Sequence, residues 1–364
     1  MRAARGALAC GAIAACAHGA SAATSSEGRG ALAPAAPIAV ALGVAARRAC
    51  GTKTFASMLE PGVRAVKEDG LKLGIAALGA RLSLTEIGDT ARAAAPAIGG
   101  VVVSGGVAAP MACALARRAG WRTEGLTRKT GALLAAGSSI CGVTAIGALA
   151  PAIAATEREV GVAVANVVAY GTFGMLTYPY VAKWLFPDGG TPAGVFLGLS
   201  VHDTSQVIGA GMTFKQMYDD EAAFKAATVT KLTRNLGLAV VVPVLAMVFR
   251  DASETGASVV GKKPALIPGF LIAFIAMAAL RSLGDATEGV RDDPRWKKTT
   301  KLLGDFSSQV ALPCAMAAVG LSISTSSLSG IGVAPFFAGA VAATTVAGVA
   351  ALSVKTLEQA GYLK

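Results

Sequence analysis

Uncharged apolar stretches alternate with short charged segments along most of this 364-residue chain. Residues 93–116, 130–156, 160–182 and 264–280 carry no charged side chain, and a longer uncharged stretch runs from Phe306 to Val354. An α-helix needs about 20 apolar residues to cross roughly 30 Å of hydrocarbon. Helices of a soluble core would show amphipathic stripes instead of repeated uncharged blocks. The pattern therefore predicts a polytopic α-helical membrane protein.

The predicted fold is an all-α bundle of about 10–11 transmembrane helices. The connections are short and charged, so we predict a single transmembrane transporter domain over residues 31–364. The last uncharged stretch is expected to hold two spans, because residues 324–329 form a polar turn within it. The candidate spans are residues 31–46, 71–87, 93–118, 131–155, 160–182, 194–213, 223–249, 264–281, 303–325 and 331–353.

Residues 1–30 begin with Arg2 and Arg5 and continue through a weakly apolar, alanine-rich run to small residues. This composition fits a targeting peptide. It also fits a degenerate first transmembrane helix, and His18 is expected to have no role in either case. Both interpretations stay open. The predicted location therefore stays open as well: a bacterial inner membrane, or a plastid membrane if residues 1–30 are a transit peptide.

The charge pattern supports a membrane location and argues against nucleic acid as a partner. Charged residues make up 15% of the chain, whereas a soluble domain has about 25%. The net charge is +11, but the basic residues lie in short loops between apolar stretches. The loop at 117–129 holds five basic residues and one acidic residue, which the positive-inside rule places on the cytoplasmic, stromal or matrix side. We expect contact with membrane lipid and none with nucleic acid.

The six cysteines show neither C-x-x-C spacing nor a cysteine–histidine cluster. Most lie in apolar stretches, where cysteine acts as a small hydrophobic residue. We therefore expect no metal site, no cofactor and no redox chemistry.

Residues 82–102 and 321–341 match at a constant offset of 239, for example at Ala95-Pro96 and Ala334-Pro335. Transporters often contain internal repeats that place the binding site near the middle of the bilayer. The match predicts an internal repeat, although an alanine- and glycine-rich chain also produces such matches by chance.

The uncharged stretch 133–151, "LLAAGSSICGVTAIGALAP", has helix-weakening residues where the middle of a span should lie. Non-helical backbone inside a membrane requires burial in protein or contact with a water-filled cavity. A break here would expose amide groups at the start of a second helix, where an anion can bind. Close packing of small residues is the alternative. The candidate ligands are Ser138, Ser139, Cys141, Gly142 and Thr144.

The stretch 198–211, "GLSVHDTSQVIGAG", places a histidine and an aspartate in apolar surroundings. On a helix, His202, Ser205 and Gln206 would share one face, with Asp203 at its edge. Ionisable residues inside a span usually have a function, and histidine can change charge near neutral pH. The alternative is a neutral histidine bonded to Asp203 at a helix end. Ser200 joins these four residues as a candidate.

A third stretch, 227–245, "ATVTKLTRNLGLAVVVPVL", begins with two cations three residues apart. Lys231 and Arg234 on one face would suit the mouth of an anion pathway, since arginine can grip an oxyanion with two hydrogen bonds. Snorkelling to the membrane interface is an equal alternative. Arg81 is a weaker candidate for an anion pathway, and snorkelling or a structural ion pair is the favoured interpretation.

Several segments together carry a family resemblance. They include "LGIAALGARLSL" (73–84), "GSSICGVTAIGALAP" (137–151), "YGTFGMLTYP" (170–179), "LGLSVHDTSQVIGAG" (197–211), "TKLTRNLGLAVVVP" (230–243), "IPGFLIAF" (267–274) and "AMAAVGLSIS" (315–324). In this order they resemble the YeiH-type sulfate exporter family of bacterial inner-membrane proteins. The resemblance runs from near residue 70 to the C-terminus. Residues 1–70 depart from it, because the family opens with clearly hydrophobic helices.

The resemblance implies a bile-acid-symporter-like fold with discontinuous, crossed helices. It also implies export of sulfate or a related sulfur oxyanion. Carried onto this chain, the family's motif positions are Ser138, Ser139, Cys141, Gly142, His202, Asp203, Gln206, Lys231 and Arg234.

We therefore expect a secondary active transporter of a small inorganic anion that works by alternating access and is not an enzyme. Its coupling ion would be a proton or sodium, and a homo-oligomer is compatible with the sequence. The main alternative is a sodium- or proton-coupled symporter of an organic carboxylate or sulfonate. More remote alternatives are a non-transporting receptor and a membrane enzyme with Cys141 as nucleophile and His202 as base.

Overall fold

The computed structural model describes residues 2–23, 35–50, 55–119, 126–249, 269–322 and 333–363. These residues form helices and turns, with no strand among them. The helices are α1 (Arg2–Ala23), α2 (Ala35–Cys50), α3 (Glu60–Ala65), α4 (Leu71–Leu78), α5 (Leu84–Arg118), α6 (Arg128–Ala136), α7 (Val143–Ala152), α8 (Glu157–Leu185), α9 (Gly190–Ser200), α10 (Thr204–Tyr218), α11 (Glu221–Asn235), α12 (Leu238–Val248), α13 (Gly269–Ala286), α14 (Pro294–Asp305), α15 (Leu312–Ser322) and α16 (Val333–Gln359). The predicted all-α class is confirmed.

Six helical stretches of the described chain are long and apolar enough to cross a membrane. They are Leu84–Arg118, Glu157–Leu185, Glu221–Leu245, Gly269–Ala286, Pro294–Ser322 and Val333–Gln359. The other predicted spans are present as shorter or interrupted helices. The predicted polar turn at 324–329 lies outside the described residues, as do Arg122 and Glu124 of the 117–129 loop and part of the proposed repeat.

One compact unit comprises residues 1–90, 212–221 and 267–324. Its helices approach closely because glycine brings backbones together, as is common in membrane helix pairs. A Cβ on Gly6 of α1 would collide with Gly62 of α3, and one on Gly43 of α2 would collide with Gly320 of α15. Helix α1 thus packs as part of this unit. Removal of residues 1–30 as a targeting peptide stays a prediction.

Arg81 in this unit is a structural ion-pair residue. Its Nη1 lies 3.2 Å from Glu221 Oε1 and its Nη2 lies 2.7 Å from Asp305 Oδ1. Of the two interpretations that the sequence left for Arg81, the ion pair is the one that the structure shows.

The second compact unit comprises residues 91–211, 222–266 and 325–364. It contains most of α5 and α11, together with α8, α12 and α16. It also contains the first of two interrupted helices and the second one as far as Gly211. The first interrupted helix consists of α6, a π-helical turn at Gly137–Cys141, and α7. The second consists of α9, an extended segment at residues 201–203, and α10. The first break lies in the stretch where the sequence predicted one. The second interrupts residues 194–213, which the sequence analysis predicted as a single helix.

The first interrupted helix folds back on itself. Lys129 Nζ, at the start of α6, donates a 2.7 Å hydrogen bond to the carbonyl of Ala154, just beyond the end of α7. Nearer the break, a Cβ on Gly137 would contact the Ile146 side chain at 3.0 Å. A continuous path at 1.5 Å per residue would separate Lys129 and Ala154 by roughly 35–40 Å. Residues 128–152 therefore form a re-entrant hairpin, called here the first hairpin.

The second interrupted helix, residues 190–218, also doubles back. Gly194 on α9 and Gly211 on α10 both lie against the first turns of α11. A Cβ on Gly194 would contact Ala226 Cβ at 2.7 Å, and one on Gly211 would contact Phe224 Cδ2 at 3.0 Å. These two positions are equally far from residues 202–203 along the chain. We call this element the second hairpin.

The two hairpins enter from opposite ends of α8 and meet near its middle. The base of the first hairpin lies at the N-terminus of α8, where Thr127 Oγ1 bonds Glu159 Oε1. The second hairpin begins just after the C-terminus of α8. Near the middle of α8, Gly137 of one hairpin approaches Val167, and Gln206 of the other bonds Val168 O and Thr172 Oγ1. The two breaks are thus tips of opposed hairpins, and the helices are discontinuous, as the resemblance implied.

Candidate site at the hairpin tips

The first tip turns at Gly142, which has φ 66° and ψ −129°. This backbone conformation is open to glycine and strained for other residues. The Gly142 amide closes the π-helical turn with a 2.9 Å bond to Gly137 O, and α7 then begins at Val143. A Cβ on Gly142 would lie 2.9 Å from Asp203 Oδ1. The two tips are therefore in direct contact at Gly142 and Asp203.

The second tip is held by Asp203, which caps the N-terminus of α10. Its Oδ2 accepts hydrogen bonds from Ser205 N at 3.0 Å and Ser205 Oγ at 2.5 Å. The Asp203 amide donates a 3.3 Å bond to Gln206 Oε1, so that Gln206 links this tip to the middle of α8. A carboxylate at this position satisfies free amides and the positive end of the helix dipole.

Lys231 and Arg234 are fully buried, at 0% exposure, and join the two tips. Lys231 Nζ donates to Ile140 O at 2.8 Å in the first tip, and to Val201 O at 3.3 Å and His202 O in the second. These carbonyls lie where the incoming arms end, at the negative end of each helix dipole. The sequence analysis left a pathway mouth and interfacial snorkelling open for both cations. The structure shows them in the interior instead, where they donate to arm carbonyls.

Arg234 makes a parallel set of contacts. Its Nε donates to Ile140 O at 2.7 Å, its Nη1 to Leu199 O, and its Nη2 to Ser138 O at 3.3 Å and Val201 O at 3.5 Å. Formal charge at the tips is then +2 from the two cations and −1 from Asp203, a sum of +1 with His202 neutral. Burial of excess charge is costly, so a bound anion would complement this site.

Unpartnered polar atoms concentrate at the same place. Seven buried side-chain polar atoms of the described residues have no hydrogen-bond partner, and six of them belong to the second unit. Buried polar groups normally have partners, so unpaired ones point to a missing water, ion or ligand. The six are Ser139 Oγ, Asn166 Oδ1, Ser200 Oγ, His202 Nδ1, Thr230 Oγ1 and Asn235 Oδ1.

The candidate residues from the sequence divide into three groups. The first group has buried polar atoms without a hydrogen-bond partner and consists of Ser139, Ser200 and His202. The second group holds the tips together and consists of Gly142, Asp203, Ser205, Gln206, Lys231 and Arg234. The side chains of the third group do neither. The Ser138 hydroxyl is bonded to Leu134 O at 2.7 Å within its own arm, and Cys141 is 2% exposed. Thr144 lies exposed on the first turn of α7.

Three polar residues were missed by the sequence analysis. Thr230 and Asn235 flank the two cations on α11, and Asn235 Nδ2 donates to Thr204 Oγ1 at 3.2 Å. Asn166 lies on α8, where a Cβ on Gly339 would collide with its Oδ1. An isolated asparagine in the apolar run "VAVANVVA" was the available signal for Asn166.

Comparison with known proteins now fixes the family. The family described as "Conserved hypothetical protein 698" matches residues 5–339. The UPF0324 membrane protein TauZ of Paracoccus pantotrophus is 35% identical over 312 residues, which cover 82% of this chain and 81% of that protein. The chain belongs to the UPF0324 family.

Other UPF0324 proteins show similar likeness. A UPF0324 membrane protein of Bordetella bronchiseptica is 36% identical over 215 residues, or 58% of this chain and 63% of that protein. The UPF0324 inner membrane protein YeiH of Salmonella typhi is 33% identical over 282 residues, or 75% of this chain and 72% of that protein. No solved structure gives a significant match. The YeiH resemblance is confirmed, and this UPF0324 chain is an integral membrane protein.

Proposed function

We propose that this protein is a secondary transporter that moves a small oxyanion, sulfate or a related sulfur oxyanion, by alternating access. We further propose that it resides in the inner membrane of a bacterial cell, the location that the name of the Salmonella relative gives. The proposal rests on one observation: buried cations outnumber carboxylates where the two hairpin tips meet, about halfway along α8.

The hairpin geometry supports transport. Non-helical backbone at membrane depth is tolerated where it lines a cavity or is buried in protein, and interrupted helices hold the substrate in many transporters. Here the outgoing arm α7 starts with exposed Val143 and Thr144, whose amides belong to the first turn of the helix. An anion at this turn would meet the positive end of the α7 dipole. The positive charge of Lys231 and Arg234 would add to that field.

Asp203 limits where the anion can bind. Its carboxylate already occupies the N-terminus of α10, so that end of the second hairpin is filled by an internal anion. The unpartnered hydroxyls of Ser139, Ser200 and Thr230 remain as hydrogen-bond donors for a substrate oxygen. These hydroxyls have no existing hydrogen bond to break when they donate to an anion. Binding there is therefore favoured over binding at groups that already have partners.

A non-enzymatic role accompanies this proposal. Cys141, the candidate nucleophile, is buried, and a nucleophilic thiol would need access to its substrate. His202 is the histidine at the tips, and the usual pKa of a histidine lies near neutral pH, so we propose it for proton coupling. A sodium-coupled mechanism would leave transport independent of this histidine.

Ligand-dependent thermal stabilisation and counterflow in proteoliposomes test the proposal. Melting temperature and counterflow of the full chain would be measured with sulfate, sulfite, thiosulfate, bicarbonate and dicarboxylates. Each anion would be tested at about pH 6 and pH 8, on either side of the usual histidine pKa. A ligand at 100 times its Kd adds about 2.7 kcal/mol of stability. Binding and counterflow of a sulfur oxyanion are expected. No stabilisation and no flux with any anion would refute anion transport.

Two matched threonines on α11 make the test specific. Thr230→Val removes an unpartnered hydroxyl, so we expect weaker anion binding with the folded state retained. Thr228→Val removes a hydroxyl bonded to Phe224 O at 2.9 Å, so its anion affinity should stay at the wild-type value. Equal effects of the two variants on affinity would argue against a site at the tips. Unchanged pH dependence of flux in His202→Gln would exclude this histidine from coupling.

A further inference from the structure

A small apolar cavity opens beside the first hairpin tip. It has a volume of about 190 Å³ and lies between α5, the arm α6 and α12. All of its lining residues but one are apolar or glycine. They are Val102, Gly106, Ala135, Ala136, Val240, Val241, Val244 and Leu245, with Ser139 as the exception. A space lined in this way favours hydrocarbon over a hydrated ion.

Ser139 connects this cavity with the cationic tips. Its hydroxyl lies against Gly105 of α5 and has no hydrogen-bond partner, although the residue is 2% exposed. The carbonyls on either side of it, Ser138 O and Ile140 O, both accept hydrogen bonds from Arg234. One residue therefore joins an apolar space, an unused donor and a buried positive charge.

We infer that the transported oxyanion is organic, with a small apolar body that occupies this cavity while its charged head binds at the tips. This inference rests on the proposed function and narrows its substrate class. An empty apolar cavity of roughly 150 Å³ is large enough to bind benzene, so a body of about four to six carbons fits here. Charge complementarity favours such an anion over an uncharged hydrocarbon or a lipid chain, because the unpartnered Ser139 hydroxyl lines the cavity and the carbonyls on either side of it bond Arg234.

A homologous series of ligands tests the inference. Binding of n-alkanesulfonates from methane- to octanesulfonate would be measured with the full chain in lipid nanodiscs, with sulfate and 1-pentanol as controls. Each added methylene buried in the cavity should tighten binding about fourfold. The gain should stop at about five carbons, where a cavity that binds a benzene-sized body is full. Sulfate should bind more weakly than pentanesulfonate, and 1-pentanol more weakly still.

Two glycines on α5 provide a matched pair of variants. Gly106 lines the cavity and Gly99 lies two helical turns away on the same face, and neither would have a neighbour within 4 Å of an added Cβ. Gly106→Leu should abolish the dependence on chain length while sulfate binding remains. Gly99→Leu should bind the whole series as the wild type does. Ser139→Ala should weaken sulfonate binding at every chain length.

The outcomes separate this inference from the proposed function. If sulfate and all sulfonates bind with equal affinity, the inference is wrong and anion transport survives. If affinity rises without a plateau to octanesulfonate, or if 1-pentanol binds as tightly as pentanesulfonate, the cavity is an acyl-chain groove and the inference is wrong. If no anion binds in any variant or in the wild type, both proposals fail.

Discussion

Single residues at the hairpin tips carry most of the argument for a binding site, and glycine is as important there as the cations. Lys231 and Arg234 were recognisable in the sequence as unusual charges, but their partners were not. These partners are backbone carbonyls, which every residue has and which no sequence pattern marks. Gly142 was recognisable as a helix breaker. That its missing side chain makes room for Asp203 follows only from the packing of the two tips.

Gly142→Ala should destabilise the protein and weaken anion binding. The positive φ of Gly142 strains any other residue by about 1–3 kcal/mol, and the added methyl group would press on Asp203. Thermal unfolding in nanodiscs measures the first effect. Gly147→Ala on α7 is the control, because a Cβ there meets nothing within 4 Å and alanine favours the helix by up to about 1 kcal/mol. Equal melting temperatures for the two variants would contradict the role of Gly142.

Whole elements show where sequence reasoning stops. The helical stretches, the break in the first hairpin and most of the polar tip residues were predictable, because they follow from composition and helix propensity. The direction of the chain after each break was not. Residues 130–156 are uncharged for long enough to span a membrane, yet both arms are apolar because the first hairpin is buried among α5, α8, α12 and α16. A buried hairpin and a spanning helix therefore give the same hydropathy pattern.

Sidedness of two connections distinguishes hairpins from continuous spans. With a re-entrant first hairpin, a cysteine at Ala155 lies on the same side as one at Arg117, and one at Asp188 lies on the opposite side. If both interrupted helices crossed the membrane, Ala155 and Asp188 would exchange sides. Labelling with a membrane-impermeant thiol reagent in sealed vesicles measures this in a variant without the native cysteines. A cysteine at Phe249 is the control, since both arrangements place it with Arg117.

At the scale of the whole molecule, the hairpin path changes how its charges are distributed. If the first interrupted helix spanned the membrane, Lys129 and Arg158 would lie on different sides. As a hairpin it brings both residues to the end of the second unit where α5 terminates. Five basic residues and two acidic ones then lie at one end: Arg117, Arg118, Arg128, Lys129 and Arg158 with Glu157 and Glu159. The opposite connection, between α8 and α9, has one basic residue, Lys183, and one acidic residue, Asp188. The second unit thus becomes asymmetric in its basic residues, with five at one end and one at the opposite connection.

This asymmetry predicts the orientation of the protein. Under the positive-inside rule the end with Arg117, Lys129 and Arg158 faces the cytoplasm. In intact cells, a cysteine at Asp188 should react with an impermeant reagent, and one at Ala155 should react only after the inner membrane is permeabilised. Replacing Arg117, Arg118, Arg128 and Lys129 with glutamine should reduce this preference and give mixed labelling, because these charges select the orientation. Suppose instead that a cysteine at Ala155 is labelled from outside while the four basic residues are in place. The first hairpin would then enter from the periplasm, so that any anion leaving the cell would reach the second hairpin first.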